Sequence, residues 1–205
     1  MYTGITRGTF PVTRVERARD LLRFGVELSD ELLVGLERGA SVAIDGVCQT
    51  VAAIEGREVQ FDAIRETLDR TTLGELTVGA RVSIERSYRI GDELGGHELA
   101  GHVIGTGTIA RARHEGDVHS LRIAVPAEWM KYILPKGFIA VDGSSLTVGE
   151  TDPGGGFDVH LVPETLRLTN LGRKPQGARV NIELDARTVA IVDTVERVLA
   201  SRKEG

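Results

Sequence analysis

Two side chains in the sequence, those of Cys48 and His102, are suited to catalysis near neutral pH. A thiol can attack an electrophilic carbon or orient a water molecule, and an imidazole can transfer a proton. However, Cys48 is the only cysteine, and a lone cysteine is more often a small buried hydrophobic residue. His102 alone would fit an exposed loop, although Gly101 before it leaves backbone room for a flat ring. Residue type alone therefore favours a non-catalytic interpretation of both residues.

A possible zinc motif surrounds His102, because residues 97–102 begin with His97-Glu98 and end with a second histidine. In the zinc motif H-E-x-x-H the two histidines are four residues apart, whereas here they are five apart. That spacing places the imidazoles on different faces of a helix, and Gly101 argues against a helix. We therefore predict no metal site. His114 and His119 lie in a polar turn region, where solvent-exposed side chains are expected.

Cys48 and His102 lie in a sequence that consists of two similar copies in tandem. Three blocks recur in the same order at offsets of 97 or 98 residues: 45–51 with 142–148, 66–68 with 164–166, and 79–85 with 177–183. Gly4 and Gly8 then correspond to Gly101 and Gly105. A repeat of this length is typical of a duplicated domain rather than of a solenoid.

The two copies share some polar residues and differ at others. Threonines that could hydrogen-bond a ring edge occur in both copies, as the pairs Thr50 with Thr147 and Thr67 with Thr165. Cys48 corresponds to Ser145, and Ile5 corresponds to His102. The copies are therefore expected to bind two similar small molecules and to treat them differently.

The hydrophobic pattern predicts an all-β fold. Short segments with a period of two, such as 42–44, 59–61 and 81–84, lie between Gly and Asp turns, and residues 154–156 also indicate a turn. One short helix per copy is predicted, at 29–33 and 126–130, with an amphipathic helix from Thr188 onward. We predict two small tandem antiparallel barrels at 1–90 and 91–186 and a C-terminal helix at 187–205. The helix packs either on its own barrel or against other chains, and its terminal apolar stripe favours oligomerisation.

Composition excludes several classes of protein. A net charge of −5 with scattered basic residues argues against nucleic-acid binding. No stretch is long and apolar enough to span a bilayer, so no membrane association is expected. A single cysteine excludes an internal disulfide framework. Residues 1–7 do not resemble a signal peptide, so we expect a cytoplasmic protein.

Several separated motifs together resemble riboflavin synthase. They are residues 1–5, 45–51, Gly95-Gly96-His97 followed by Gly101-His102-Val103, and Lys136-Gly137-Phe138 leading to 145–148. The resemblance runs from Met1 to about Arg197 and is specific because the motifs keep their order in both copies. It implies two six-stranded, Greek-key-like antiparallel barrels in each chain and a homotrimer held together by the C-terminal oligomerisation helices. The implied reaction is a dismutation in which one 6,7-dimethyl-8-ribityllumazine passes a four-carbon unit to another, giving riboflavin and 5-amino-6-(D-ribitylamino)uracil.

The resemblance also implies roles for individual residues. The catalytic set would be Cys48, His102, Ser41, Ser145 and Asp185, at an interface between the first barrel of one chain and the second barrel of a neighbour. The substrate-binding set would be Gly4, Ile5, Thr6, Gln49, Thr50, Asp62, Ala63, Ile64, Arg65, Glu66, Thr67, Gly101, Val103, Lys136, Leu146, Thr147, Leu161, Val162, Pro163, Glu164, Thr165 and Leu166. Without the resemblance, Asp185 would be interpreted as a helix cap. No cofactor or metal is implied, and an association with lumazine synthase is left open.

Three positions depart from the family pattern. Tyr2 replaces a typical Phe, Gln49 replaces an apolar residue, and Ala100 replaces a hydroxyl residue. The aromatic residue at position 2 is expected to pack at the site, and its added hydroxyl would need a partner if buried. We therefore predict that an N-terminal extension impairs activity.

Two other functions remain open at this point. A non-catalytic lumazine- or flavin-binding relative would keep the barrels and lose the chemistry, and a purely structural trimer would bind no ligand. Retention of Cys48, His102, Ser41 and Ser145 together favours the enzyme.

Overall fold

The structure is a computed structural model that describes residues 1–115 and 118–202. It confirms the predicted pair of closed six-stranded antiparallel barrels. The strands of the first barrel are β1 (Thr9–Arg17), β2 (Leu21–Glu27), β3 (Ser41–Ile44), β4 (Val47–Glu55), β5 (Glu58–Ile64) and β6 (Arg81–Arg86). Those of the second are β7 (Gly105–Glu115), β8 (Val118–Ala124), β9 (Phe138–Val141), β10 (Ser144–Asp152), β11 (Gly156–Leu161) and β12 (Arg179–Leu184).

The two barrels have the same topology and the same register. Around the first barrel the strand order is β1-β2-β5-β4-β3-β6, and β7-β8-β11-β10-β9-β12 repeats it in the second. Ala43 pairs with Cys48 in the first barrel, and Ala140 pairs with Ser145 in the second. The structure therefore confirms the correspondence of Cys48 with Ser145 that the repeat predicted.

Each barrel encloses its own hydrophobic core, since alternate residues of every strand point inward. Phe24 and Phe61 pack together in the first core with ring centroids 5.4 Å apart. A third, smaller cluster brings together Tyr2, Leu99 and one alanine from each barrel, Ala43 and Ala140. The two barrels are therefore connected by packing as well as by the chain.

The helices are α1 (Asp30–Leu33), α2 (Arg65–Arg70), α3 (Pro163–Leu168) and α4 (Ala186–Ser201), with 3₁₀ turns at Thr72–Glu75, Ala127–Tyr132 and Leu171–Arg173. The prediction of one short helix per copy was wrong in number, because α2 and α3 add another to each. Six residues are too few for a 3.6-residue pattern to be visible in a sequence. The segment predicted at 126–130 is a 3₁₀ helix rather than an α-helix. The C-terminal helix is confirmed, although 203–205 lie outside the described residues.

The prediction that His119 is exposed was also wrong. His119 is only 2% exposed, because it shares the inward face of β8 with the buried Leu121 and Ile123. Its ring packs edge-on against that of His114, its partner across the hairpin, at 3.9 Å. In a strand the direction of the side chain decides exposure, so a polar neighbourhood in the sequence was misleading.

The two barrels meet at a pair of Asp-Gly turns. Asp45-Gly46 and Asp142-Gly143 form equivalent two-residue hairpin loops, and all four residues have positive φ. A Cβ atom built on Gly46 would lie only 2.5 Å from the backbone nitrogen of Gly143. No residue larger than glycine fits at this contact.

Both aspartates of this turn pair are buried. Asp45 accepts hydrogen bonds from the Ser83 amide at 2.7 Å and from the side chain of Asn170 at 2.9 Å. The ammonium group of Lys174 pairs with Asp142. Burial, and then the charge of Asp142, raises the pKa of Asp45 to about 7, while the charge of Lys174 opposes the shift. Two carboxyls therefore share one cation between the barrels.

We expect Asp45→Asn to stabilise the protein at pH 8. Folding raises the pKa of Asp45 from its ordinary 3.8 to about 7, so the folded chain binds more protons and its free energy of unfolding falls as pH rises through that window. Asparagine keeps the accepting oxygen without the charge. It should therefore remove the contribution of Asp45 to the decrease of the unfolding free energy with pH. The gain is expected to be on the order of 1 kcal/mol or more. Denaturant titrations at pH 5 and pH 8 measure it; an unchanged difference between the two pH values would exclude this role for Asp45.

No helix among the described residues is long and apolar enough to cross a membrane.

Candidate functional site

The candidate site in each barrel is completed by a segment of chain from the other copy. Tyr2 and Leu99, which are equivalent in the repeat, exchange backbone hydrogen bonds of 2.8 and 2.9 Å. These bonds hold residues 1–5 and 98–102, which we call the crossing segments, side by side between the barrels. After this pairing, residues 1–5 contact the second barrel and residues 98–102 contact the first barrel.

Glycines make the closest contacts of these crossing segments. The carbonyl of Gly101 accepts a hydrogen bond from the Cys48 amide, and that of Gly4 accepts one from the Ser145 amide, both at 2.9 Å. A Cβ atom on Gly101 would lie 2.7 Å from the Cβ of Cys48, and one on Gly4 would lie 2.5 Å from the Cβ of Ser145. Both glycines have positive φ, at +77° and +75°. The backbone of each segment therefore lies directly against the residue that differs between the copies.

Two buried glutamates anchor the crossing segments. Glu85, the fifth residue of β6, accepts hydrogen bonds from the amides of Thr3 and Gly4 and from the Thr3 hydroxyl, at 2.7 to 3.0 Å. Glu183 in β12 accepts hydrogen bonds from the amides of Ala100 and Gly101 in the same way. Burial raises the pKa of both carboxyls, although these donors oppose the shift. Sequence analysis missed both anchors, although each ends a repeated block.

Cys48 lies at the end of the first barrel, beside Tyr2. The Tyr2 ring is 1% exposed, and its hydroxyl donates a hydrogen bond of 3.1 Å to the Cys48 sulfur. The thiol is thus the partner that the added hydroxyl was expected to need. Ser41 stands opposite Thr50 in the adjacent strand, and His102 follows Gly101 with an exposed side chain. The structure thus brings Cys48, Ser41, Thr50 and the His102 segment to one end of the barrel.

Ser145 has a different neighbour in the second barrel. Its hydroxyl lies 2.6 Å from Nδ1 of His97, which belongs to a motif of the family resemblance but was not predicted to be a site residue. Gly4, Ile5 and Thr6 line a cavity of about 110 Å³ with Ser144, Ser145, Glu164, Thr165, Leu168 and Thr169. The described residues contain no group of three or more side chains that could hold a metal ion.

The remaining candidate residues occupy equivalent places in the two copies. In the first, Ala63 is buried, Ile64, Arg65 and Glu66 are exposed around the start of α2, and Thr67 is half-buried. In the second, Leu161 is buried, Val162, Pro163 and Glu164 are exposed around the start of α3, and Thr165 and Leu166 are half-buried. Gln49 is buried between the half-buried Cys48 and the exposed Thr50. Leu146 is likewise buried between the half-buried Ser145 and the exposed Thr147.

Some candidates already have structural partners. Asp62 pairs with Arg23 at 2.8 Å, and Asp185 caps α4 by accepting a hydrogen bond from the Thr188 amide. Val103 packs on the core of the first barrel, although it precedes the strands of the second. Lys136 is exposed in a left-handed turn with φ +66°.

The structure gives a reason for the prediction about N-terminal extensions. Tyr2 is fixed by its backbone bonds to Leu99, and Thr3 is fixed by Glu85. An extension is attached one residue before this arrangement, so we expect it to disturb the Tyr2 ring and lower turnover. Comparing tagged protein with the same protein after tag removal measures the effect; equal rates would count against packing of Tyr2 at the site.

Comparisons with known proteins agree with this geometry. The family model for the lumazine binding domain matches twice, at residues 3–87 and 100–185. Riboflavin synthase of Escherichia coli (strain K12) is 49% identical over 99% of this chain and 95% of its own length, and that of Chlamydia pneumoniae is 41% identical over 98% of each. The solved structure of LumP with riboflavin has a TM-score of 0.84 at 28% identity, covering 90% of this chain and all of LumP. LumP with 6,7-dimethyl-8-(1'-D-ribityl) lumazine has a TM-score of 0.82 at 26% identity, covering 90% of this chain and 99% of LumP.

Proposed function

Since this chain belongs to the riboflavin synthase family and carries two lumazine binding domains, we propose that each barrel binds one 6,7-dimethyl-8-ribityllumazine molecule. The protein is a transferase that dismutates two such molecules. One passes a four-carbon unit to the other, and the products are riboflavin and 5-amino-6-(D-ribitylamino)uracil. The four-carbon unit that one molecule loses is gained by the other, so no external oxidant or reductant is required.

The asymmetry of the two sites is the observation that carries this proposal. Each barrel presents the same strand, the same short helix and the same glycine contact, but Cys48 stands in one and Ser145 in the other. Equivalent backbone arrangements in the two barrels can bind two copies of the same ring. The different side chains of Cys48 and Ser145 can then give the two rings opposite roles, as donor and acceptor of the four-carbon unit. Holding both rings in place removes much of the entropic barrier to their reaction.

The bound rings supply much of the chemistry themselves. Deprotonating the methyl group at C7 gives an anion that the heterocycle delocalises, so the substrate takes the place of a cofactor. The chain must supply proton transfer and activate C7 of the acceptor. We assign Cys48, Ser41 and His102 to these tasks in the first barrel and Ser145 and Asp185 in the second.

The remaining candidate residues are assigned to binding. Thr50, Thr67, Thr147 and Thr165 would hydrogen-bond ring edges, while the glycines leave room for a flat ring. Asp62 would have to exchange its ion pair with Arg23 for a ligand hydroxyl, which an exposed pair permits at little cost.

The productive assembly is a homotrimer in the cytoplasm, with each active site formed between the first barrel of one chain and the second barrel of its neighbour. The division into barrels at 1–90 and 91–186 and a helix at 187–205 is part of this proposal. Four apolar side chains on α4 support the trimer, because they are 45 to 64% exposed in a single chain. They are Ile191, Val195, Val198 and Leu199. Association with lumazine synthase, which would shorten the path of the substrate, is a further element of the proposal.

A non-catalytic lumazine- or flavin-binding protein is the alternative that the similarity to LumP favours. The two functions are separated by incubating purified, cofactor-free protein with 6,7-dimethyl-8-ribityllumazine. The enzyme forms riboflavin, whereas a binding protein changes the fluorescence of the ligand without consuming it. Cys48→Ser and His102→Gln, both in the proposed catalytic set, should bind the ligand and form riboflavin more slowly.

A further inference from the structure

His97 holds the hydroxyl group of Ser145 in a fixed place. Its Nδ1 lies 2.6 Å from the Ser145 oxygen, and the imidazole is 6% exposed. The ring stacks on Phe138 with centroids 4.9 Å apart and planes 16° apart. Stacking and burial leave the imidazole little freedom, so its hydrogen bond fixes the direction of the Ser145 hydroxyl.

The other ring nitrogen of His97 is buried and has no hydrogen-bond partner among the described residues. A buried polar atom without a partner costs free energy, so this ring is not placed for stability alone. Burial lowers the pKa of His97, although the nearby charge of Asp185 opposes the shift. The imidazole is therefore neutral near pH 7 and can donate or accept one hydrogen bond at Nδ1, according to its tautomer.

The contact at the equivalent position of the first copy is different, because Cys48 accepts a hydrogen bond from the Tyr2 hydroxyl. The two reacting positions thus differ in the group itself and also in the side chain that holds it.

Building on the function proposed above, we propose that His97 is a positioning residue that directs the Ser145 hydroxyl toward the lumazine ring in the second barrel. It acts through Ser145 and need not touch the ring. A freely rotating hydroxyl would sample several directions, and only one of them is productive. Losing this orientation should lower kcat more than it raises KM.

Three substitutions of His97 separate the hydrogen bond from the packing. His97→Asn places an amide near the position of Nδ1, whereas His97→Gln places it near Nε2 and His97→Phe keeps only the stacked ring. We expect His97→Phe and His97→Gln to lower kcat about tenfold, with KM changed less than about twofold. His97→Asn should retain most of the wild-type kcat. If the Phe variant does not fold, the comparison of Asn with Gln decides the question.

A double variant tests whether His97 acts through Ser145. In a Ser145→Ala background, His97→Phe should cause no further loss of kcat, since the hydroxyl it positions is gone. His160→Phe is the matched control, because the exposed His160 makes a similar 2.8 Å contact with Ser120 but is not among the proposed site residues. The kcat of this variant should be unchanged.

Two outcomes would overturn the inference: multiplicative losses in the double variant, or an Asn variant as impaired as the Phe variant. A wild-type protein that forms no riboflavin would instead contradict the proposed function, so the two failures are distinguishable.

Discussion

Gly101→Ala is expected to lower the rate of riboflavin formation about a hundredfold, and Gly4→Ala should do the same from the other barrel. The new methyl carbon at position 101 would lie 2.7 Å from Cβ of Cys48 and 2.9 Å from the Tyr2 ring. The neighbours that would have to move are a barrel strand and a buried ring, so the crossing segment must shift. Displacing the crossing segment moves Cys48 together with the residues that line the site of the bound ring.

A second pair of glycines is the control for backbone strain. Gly79 and Gly177 have φ of +87° and +88°, but a Cβ atom on either would meet nothing within 4 Å. Their alanine variants should lose about 1 to 2 kcal/mol of stability from the left-handed conformation and keep their turnover. Steady-state rates and melting temperatures of all four variants make the comparison. Equal loss of turnover in both pairs would show that strain, rather than close approach to Cys48 and Ser145, explains the effect.

Truncation after Ala190 should convert the proposed trimer into monomers and lower turnover about a hundredfold or more, because no complete site would remain. The polar face of α4 is occupied within the chain, where Asp193 accepts a hydrogen bond from Tyr132 and Glu196 pairs with Lys131, both at 2.5 Å. The apolar face is left exposed. The truncated chain keeps Val189, which packs on the second barrel, so the barrel should remain folded.

Sedimentation velocity and turnover, measured at the same protein concentration, test the truncation. Glu196→Gln is the control, because it weakens an exposed ion pair without altering the apolar face, and it should remain trimeric and active. A monomeric truncated chain with full turnover would contradict sites between subunits.

Mixed trimers give an independent check of the same point. Gly101→Ala disables the first barrel of a chain, and Gly4→Ala disables the second. If each site uses barrels from two chains, refolding the two variants together in equal amounts should restore about a quarter of the sites. No recovery on mixing would instead place both barrels of a site in one chain.

The repeat in the sequence predicted most of the fold. Correspondence of residues 45–51 with 142–148 required two similar sheets, and the register of β3 with β4 and of β9 with β10 follows it. The C-terminal helix was also predictable, because sixteen residues show its apolar stripe. The short helices α2 and α3 were not, since each has only six residues.

The parts of the site that depend on distant contacts could not be predicted. Nothing local in the sequence indicates that Glu85 holds Thr3, 82 residues away, or that residues 1–5 cross to the second barrel. His97 was not predicted to be a site residue for the same reason, because its partner Ser145 is 48 residues further along the chain. A usable signal did exist in the repeat, which places glutamate at both positions 85 and 183.

The most direct test of the account is the stoichiometry of the reaction. Purified protein without added cofactor or metal should consume two molecules of 6,7-dimethyl-8-ribityllumazine for each riboflavin formed, with one 5-amino-6-(D-ribitylamino)uracil as the second product. Absorbance and chromatography follow all three compounds in one incubation. Riboflavin formed at that ratio is the predicted result, and lumazine that is bound but not consumed would contradict it.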